Sequence, residues 1–484
     1  MSTKIIILLA ALSLAAEAWA WNLNGNNQAD FWLSQPGYSL SYREVLDLNL
    51  KGRLTNDLGI AGGIRYQQDE EVWADTATFR GLSKKYLLLQ SDQVSLWLGN
   101  YYAVLGRGLI LNCVNDDRVR LDRDLDGGYL KTGYRDWLEI KGLTGRVQEN
   151  TARINASTYL GGQAIASPLE TVDIGGIYLR ANSADRTSDV NYNKPAEESF
   201  GGTMGLRISE VEYYGEYARR HTYGMLDPAL GWIGTDDQGG KGFYSSIGWT
   251  TDGIGLVLDI KDYRNMNSLV NAPPACNRDG RLLNSAADEQ GLQVDFTVSP
   301  WEFIEMHGNY SMAETDNSGS NWEDTYFEGR WEMSPKWVIR AEARARTEDS
   351  LETEIIRRKY KGGGAECKWL YRDQKALTVR VDADKFNNLY IYGPLRYNEI
   401  RTGLSWVPFG FIIIYAEMEV SDQRLPEYEN QNRWGRAGAV INLGPGQKLE
   451  MSAGQNKGGL VCSGGYCRYE PPFKGFKTTW IWNF

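Results

Sequence analysis

Three stretches of the chain alternate charged with small or apolar residues at a period of two. Along Arg340-Ala-Glu-Ala-Arg-Ala-Arg346, the side chains of Arg340, Glu342, Arg344 and Arg346 share one face, with Ile339 and three alanines on the other. Leu377-Thr-Val-Arg-Val-Asp-Ala-Asp384 repeats the plan with Arg380, Asp382 and Asp384, and Glu212, Glu216 and Arg220 are spaced likewise. On strands, such faces carry charges two residues apart, about 7 Å. Facing a water-filled lumen, rungs of this kind select ions and solutes. The plainer alternative is that they are ladders that hold a wide barrel in shape or fill a closed one.

A second candidate is the run from Asp116 to Gly128. Asp122, Asp124, Asp126 and Gly127 match the opening of a calcium loop, where alternate carboxylates converge on a hard cation. The twelfth position, however, is Gly133, and Arg118, Arg120 and Arg123 neutralise these acids together with Asp116 and Asp117. No metal site is expected, and the run reads as a salt-bridged loop folded into a mouth. Catalysis finds no support either: the chain has two histidines, His221 beside a loop and His307 within a strand, and neither has a nucleophile at recognisable spacing. Neither catalytic residues nor a cofactor are expected; Gly106-Arg-Gly108 lacks the third glycine and following helix of a dinucleotide site. Cys462-Ser-Gly-Gly-Tyr-Cys467 is spaced to close a small disulfide loop in an oxidising compartment.

The elements that must carry these residues are strands. The final stretch, Phe473 to Phe484, sets Phe476, Thr478, Trp480, Trp482 and Phe484 on one face, opposite Lys477, Thr479 and Asn483. Such a face suits a membrane-interface girdle, although an ordinary buried strand of a soluble sandwich would also bear it. At the other terminus, Lys4, the apolar run Ile5 to Ala16 and Ala18-Trp19-Ala20 form a secretory signal with cleavage expected after Ala20. Beyond it, no apolar run approaches the length of a membrane helix.

Between the termini the pattern is repetitive. Val45 to Lys51 alternates cleanly, and hairpins follow at Thr55-Asn-Asp57, Ser91-Asp92, Thr251-Asp-Gly253, Ser299-Pro300 and Gly444-Pro-Gly446, where fixed or positive φ is needed. Gly59 to Tyr66, Leu292 to Val298 and Ile400 to Trp406 are typical of the strands these turns join. Longer connections intervene at residues 67–80, 106–127, 262–290 and 421–433. The expectation is an all-β fold: a single antiparallel transmembrane β-barrel over residues 21–484, of about 20 to 24 strands and most simply 24. Short turns then face the periplasm and long loops the exterior, with no separate plug domain before the first strand. Composition agrees, with 53 Gly, 28 Tyr and 17 Trp against 14 Pro. A formal charge of −10 excludes nucleic acid as a partner.

The segment Gly99-Asn-Tyr-Tyr-Ala-Val-Leu-Gly-Arg-Gly-Leu-Ile-Leu-Asn112 and the Asp-rich run after it resemble an uncharacterised family of Gram-negative outer-membrane barrels that carries a G-N-x-Y…G-x-G-L segment. Asn271-Ala-Pro-Pro274 and Asp288-Glu-Gln-Gly291 also look like that family. The resemblance implies a fold and an outer-membrane location. It also resembles other such barrels in ending on Phe484, the feature that the barrel-assembly machinery reads in a closing strand. Three functions stay open: a porin-like channel or substrate-selective pore for small solutes, a closed barrel that anchors or scaffolds a secretion or envelope protein complex, and a secreted soluble β protein. Outer-membrane lipid is a partner in the first two.

Overall fold

The computed structural model describes residues 22–34, 39–70, 79–116, 118–119, 121–135, 137–149, 152–182, 197–222, 225–227, 231–233, 239–268, 270–284, 286–316, 319–349, 355–391, 393–422, 432–463, 466–470 and 472–484. Among the described residues, 24 antiparallel strands form one closed barrel, and there is no helix. Each strand pairs with its neighbour in sequence. The first, Asn22–Ser34, pairs with Ser39–Arg53 on one side and with the last, Phe473–Asn483, on the other, in the register Asn26↔Asn483 to Ser34↔Gly475. A sandwich would leave sheet edges; this sheet has none.

Alternation decides which side of the wall each residue meets. On Lys375–Tyr390, Val379 and Val381 point outward and are exposed, while Asp382 and Asp384 point inward and are buried. Large apolar side chains stay exposed all round the outside, among them Ile140, Leu160, Ile247, Ile400 and Leu404. Such a continuous apolar surface is incompatible with water and suits lipid. Exposed Trp137, Trp249, Trp301, Trp331, Trp337, Trp369, Trp406 and Trp480 all lie a few residues from the short turns, so they make an aromatic belt at that end of the barrel. Of the expected girdle residues, Trp480 lies in this belt, Trp482 stacks on it at 6.3 Å between centroids and Phe484 lies 4.9 Å from Trp482, whereas Phe476 is exposed on the same face farther from the short turns.

Gly253 (φ 75°) and Gly446 (φ 73°) take the left-handed conformation that their tight turns require. At the opposite end the connections are mostly longer, but Tyr390 and Gly393 are joined by only two residues. Three expectations need correction. The connection expected at 67–80 is shorter, since Gly59–Glu70 and Phe79–Gln90 are strands. Residues 121–127 do not form a loop: the strand Leu121–Tyr134 begins well before Gly128. The connection after Ile254–Arg264 is also shorter than 262–290, since Asp288–Trp301 is already strand. The signal segment, Asp117 and Arg120 lie outside the described residues.

The seam is tight. Gly25 and Phe484 exchange backbone hydrogen bonds of 2.8 and 3.0 Å, and Thr479 Oγ1 donates to the buried carboxylate of Asp30 at 2.5 Å. A Cβ on Gly25 would stand 2.5 Å from the Phe484 ring and 2.8 Å from the Asp47 carbonyl oxygen. Gly25→Ala is therefore expected to cost about 1–3 kcal/mol through overpacking. The measurement is the temperature at which the folded barrel converts to the slower-migrating unfolded band on a gel; an unchanged temperature would mean that the seam has slack.

Candidate functional site

The inner wall is of two kinds. From Val94–Tyr101 round to Ile254–Arg264, the inward residues Tyr101, Leu125, Leu143, Val147, Tyr159, Leu179, Ala218 and Tyr263 are apolar or aromatic and buried. Two connections that fold inward from the long-loop end cover them.

The first is residues 102–120. Ala103–Leu105 and Leu111–Cys113 form a small hairpin, and Leu105, Leu109, Ile110 and Leu111 are fully buried within the same cluster. Its turn uses Gly106 (φ 59°) and Gly108 (φ 93°), a conformation costly for any residue with a Cβ. That turn meets Glu216, 1% exposed on the opposite strand Val211–Thr222. The Glu216 carboxylate accepts the Arg107 N–H at 2.6 Å and the Tyr214 hydroxyl at 2.7 Å. A Cβ on Gly106 would lie 2.4 Å from Glu216 Oε2, so only glycine lets the turn approach so closely. The Gly-x-Gly-Leu segment is thus a carboxylate-binding turn inside the lumen.

The second is residues 265–287. The side chains of Lys261 and Glu289, on adjacent strands, are both 0% exposed and form an ion pair. Lys261 Nζ also donates to the Ala275 carbonyl at 2.5 Å, and Glu289 Oε2 accepts the Leu283 N–H at 2.8 Å. The Tyr263 hydroxyl donates to the Pro274 carbonyl at 2.8 Å. The two connections clasp each other: Asn112 N donates to Val270 O (2.7 Å), Ala272 N to Gly108 O (3.2 Å), and Asn271 Nδ2 to Leu109 O (2.9 Å). Buried loop backbone must find such partners, and here side chains supply many of them. Burial pushes the Cys276 thiol, in the same loop, up to about 12, which leaves it unreactive while the clasp holds.

The remaining wall is charged. Arg344 forks onto Asp384 (2.9 and 2.7 Å) and reaches Glu342 at 3.0 Å; Arg380 bonds Asp382 at 2.8 Å and Glu342 at 3.3 Å; Arg401 also pairs with Asp384. Arg340 pairs with Glu328 at 2.5 Å. Arg346 bonds Asp324 at 2.8 Å and Asp279 of the second loop at 2.6 Å, with its guanidinium 3.9 Å from the Trp322 ring. The structure therefore brings Glu342 and Arg344 of the first predicted stretch and Arg380, Asp382 and Asp384 of the second into one ion-pair network, with neither sign dominant, while Arg340 and Arg346 pair beside it. It does not bring in the third: Glu216 holds the hairpin, Arg220 pairs with Glu197 at 3.1 Å, and Glu212 lies exposed beside the short turn.

The acidic run is dispersed along a strand face. Asp122 pairs with Arg65 (2.9 Å) and Lys84 and accepts the Tyr102 hydroxyl; Asp124 accepts from Asn100 at 3.0 Å. Arg123 and Asp126 are on the same strand, and Asp116 pairs with Arg118 at 3.1 Å. No group of three potential metal ligands converges among the described residues. The backbone sets Cys462 opposite Cys467 in a short hairpin, while their side chains lie outside the described residues. His221 stacks on Phe200, and His307 lies 2.9 Å from Asp295.

Sequence reasoning missed Lys261, Glu289, Tyr263 and Asn271 as lumen-fixing residues. The signal available was the apolar run Leu109-Ile-Leu111 inside a supposedly exposed loop. Lys261→Met alone leaves Glu289 buried without its cation and is expected to destabilise the loop by about 3–5 kcal/mol, whereas Lys261→Met combined with Glu289→Leu restores most of it. Alkylation of Cys276 during a urea titration reads this directly; equal labelling of wild type and single variant would contradict it.

Residues 66–286 match the model of a family of unknown function (DUF6029). No curated protein sequence matches the chain. Among solved structures, the P pilus usher (PapC) translocation pore is 8% identical and aligns over 95% of this chain and 99% of its own, with a TM-score of 0.50. The siderophore receptor PirA from Pseudomonas aeruginosa (8% identity, 96% and 80%, TM-score 0.47) and OccK3 from the same organism (9%, 76% and 96%, 0.46) are also similar. The chain thus has the fold of outer-membrane β-barrels and resembles, over residues 66–286, an uncharacterised family.

Proposed function

We propose that this protein is a bacterial outer-membrane channel that passes small polar solutes along the charged side of its lumen, with the two clasped loops as its constriction. The observation that carries this reading is the asymmetry of the lumen. One side is covered by the two loops, which bury its apolar residues, whereas the side chains of Arg380 and Arg401 on the other remain 40% and 43% exposed. Barrels of about 16–18 strands already leave an aqueous channel, so two loops that dock mainly on one side leave room in a barrel of 24. Because arginines and carboxylates interleave along the open side, the reading favours uncharged or zwitterionic solutes over simple ions of one sign. Catalysis has no part in it. The strand Phe473–Asn483, which closes the barrel against Asn22–Ser34, is the segment by which assembly machinery would insert it.

Conductance in planar bilayers tests the proposal. Wild type is expected to open steps of defined size, and Asn271→Ala with Glu216→Ala, which releases both loops, to enlarge them. Arg380→Glu with Arg401→Glu is expected to shift the reversal potential toward cation preference, more strongly at low salt, where screening is weaker. A silent bilayer from folded wild type would sink the channel and leave the closed anchor or scaffold for an envelope complex, for which co-purifying protein partners would be the positive sign. Recovery in the soluble fraction would remove both.

A further inference from the structure

The outside of the barrel carries a patch that the channel does not use. On the strands Ile355–Arg372, Lys375–Tyr390 and Gly393–Phe409, Lys359, Lys361, Lys385 and Arg396 all point outward and are exposed, toward the long-loop end. The register sets Lys361 directly opposite Lys385 and places Arg396 opposite Asn387, two residues farther along. Directly opposed like charges destabilise a sheet. None of the four forms an ion pair among the described residues; only Arg357, beside them, is paired, with Asp349. In a chain of net charge −10, four cations on a lipid-facing wall with no ion-pair partner among the described residues are suited to an anion from outside the chain.

The depth of the patch points to the source of that anion. From Lys361 the outward column runs through Gly363, Ala365 and Cys367 to the belt residue Trp369, eight residues or about 26 Å of strand. At the usual tilt this rises about 20 Å, close to the height of a barrel's apolar band of about 25 Å. The cations therefore lie at the outer rim of that band, where lipid phosphates sit, opposite the tryptophan belt. Below them the wall is shallow: Ala341, Ala343 and Ala345 on the strand Trp337–Asp349 and Ala383 flank Gly363 and Ala365, between the larger Phe327 and Ile400.

We infer that this face binds a phosphorylated glycolipid of the outer leaflet, of the lipid A class, with a phosphate between Lys361 and Lys385 and acyl chains over the small residues beneath. Basic clusters recognise anionic headgroups at this depth, and charge-assisted bonds to phosphate oxygens offset the repulsion between the lysines. The inference rests on the outer-membrane location in the preceding reading, not on conductance.

The test uses the full-length protein in neutral detergent, with thermal unfolding and native mass spectrometry as readouts. Bisphosphorylated lipid A is expected to raise the melting temperature of wild type and stay bound in the spectrometer, while the dephosphorylated lipid and inorganic phosphate do neither. Lys361→Gln with Lys385→Gln is expected to bind lipid A about tenfold more weakly and, with lipid absent, to melt no lower than wild type because the opposed charges are gone. Equal effects of the dephosphorylated lipid, or undiminished binding by the variant, would overturn the site. Stabilisation by inorganic phosphate alone would replace the lipid with a free anion and overturn it too. Should the double variant fail to fold, Lys361→Gln and Lys385→Gln taken singly must each weaken retention, or the inference fails. A silent bilayer leaves these outcomes unaffected, whereas absence from the membrane fraction removes their basis.

Discussion

Hydrocarbon offers no hydrogen-bond partner to a peptide group, so a sheet that crosses a bilayer must have no edge. In this chain the requirement is met where the first strand receives the last, with Gly25 and Phe484 bonded through their backbones and Thr479 tied to Asp30 on the inner side. Closure fixes the parity of every residue on every strand, because a slip of one position would send Arg344 or Asp384 into lipid. It also fixes a circumference. With 24 strands, inward side chains cannot meet across the middle, and whatever fills the space must be brought in by the connections.

Chain that enters a lumen carries its own amides with it. The two inward connections satisfy theirs largely through side chains on the wall and on each other: Tyr263 to Pro274, Lys261 to Ala275, Glu289 to Leu283, Glu216 to Arg107, Asn271 to Leu109. A fully buried ion pair is poor evidence of net stability, since the cost of desolvating both charges offsets most of their attraction. Lys261 and Glu289 are better understood as fixing position. Each completes a loop amide or carbonyl that no apolar replacement could, and so determines where the loop seats. The apolar cluster around Leu105, Leu109 and Leu111 supplies the driving force, and the polar contacts supply the register.

The barrel was legible in the sequence because lipid and water impose opposite demands on alternate residues, and that contrast survives in a stretch such as Leu377 to Asp384. It fails where both sides of a strand are polar or both are apolar. Leu121–Tyr134 begins as Leu-Asp-Arg-Asp-Leu-Asp and reads as a loop; Asp122 pairs with Arg65 and Lys84 and Asp124 accepts a hydrogen bond from Asn100, residues that alternation cannot connect to it. Leu109-Ile-Leu111 fails the other way, since all three side chains are buried and the run has no polar face. Asn271-Ala-Pro-Pro274 was readable only as a family likeness, because its role depends on Gly108 and Leu109, more than 160 residues earlier. The charged faces at Arg340 and Arg380 were legible as faces, but that they form one network depends on a neighbour relation that Ile355–Arg372 mediates.

That intervening strand links the two surfaces of the wall. Gly362 and Gly364 point inward between Arg344 and Asp384 and between Glu342 and Asp382; a Cβ on Gly362 would lie 1.9 Å from Asp384 Oδ1, and one on Gly364 2.1 Å from Asp382 Oδ1. Hydrogen at these positions lets the carboxylates lie flat on the backbone, so Arg344 reaches across an entire strand to fork onto Asp384. On the outside of the same strand, Gly363 and Ala365 keep the lipid-facing surface low. The wall is consequently thin here, and bulk is withheld from both faces in one sector. Small residues inside serve an ion-pair ladder on the lumen side, and small residues outside leave a hollow beneath lysines that form no ion pair among the described residues. Larger residues at these positions would push the ladder apart on one side and fill the hollow on the other, so the composition of this one strand constrains both surfaces together.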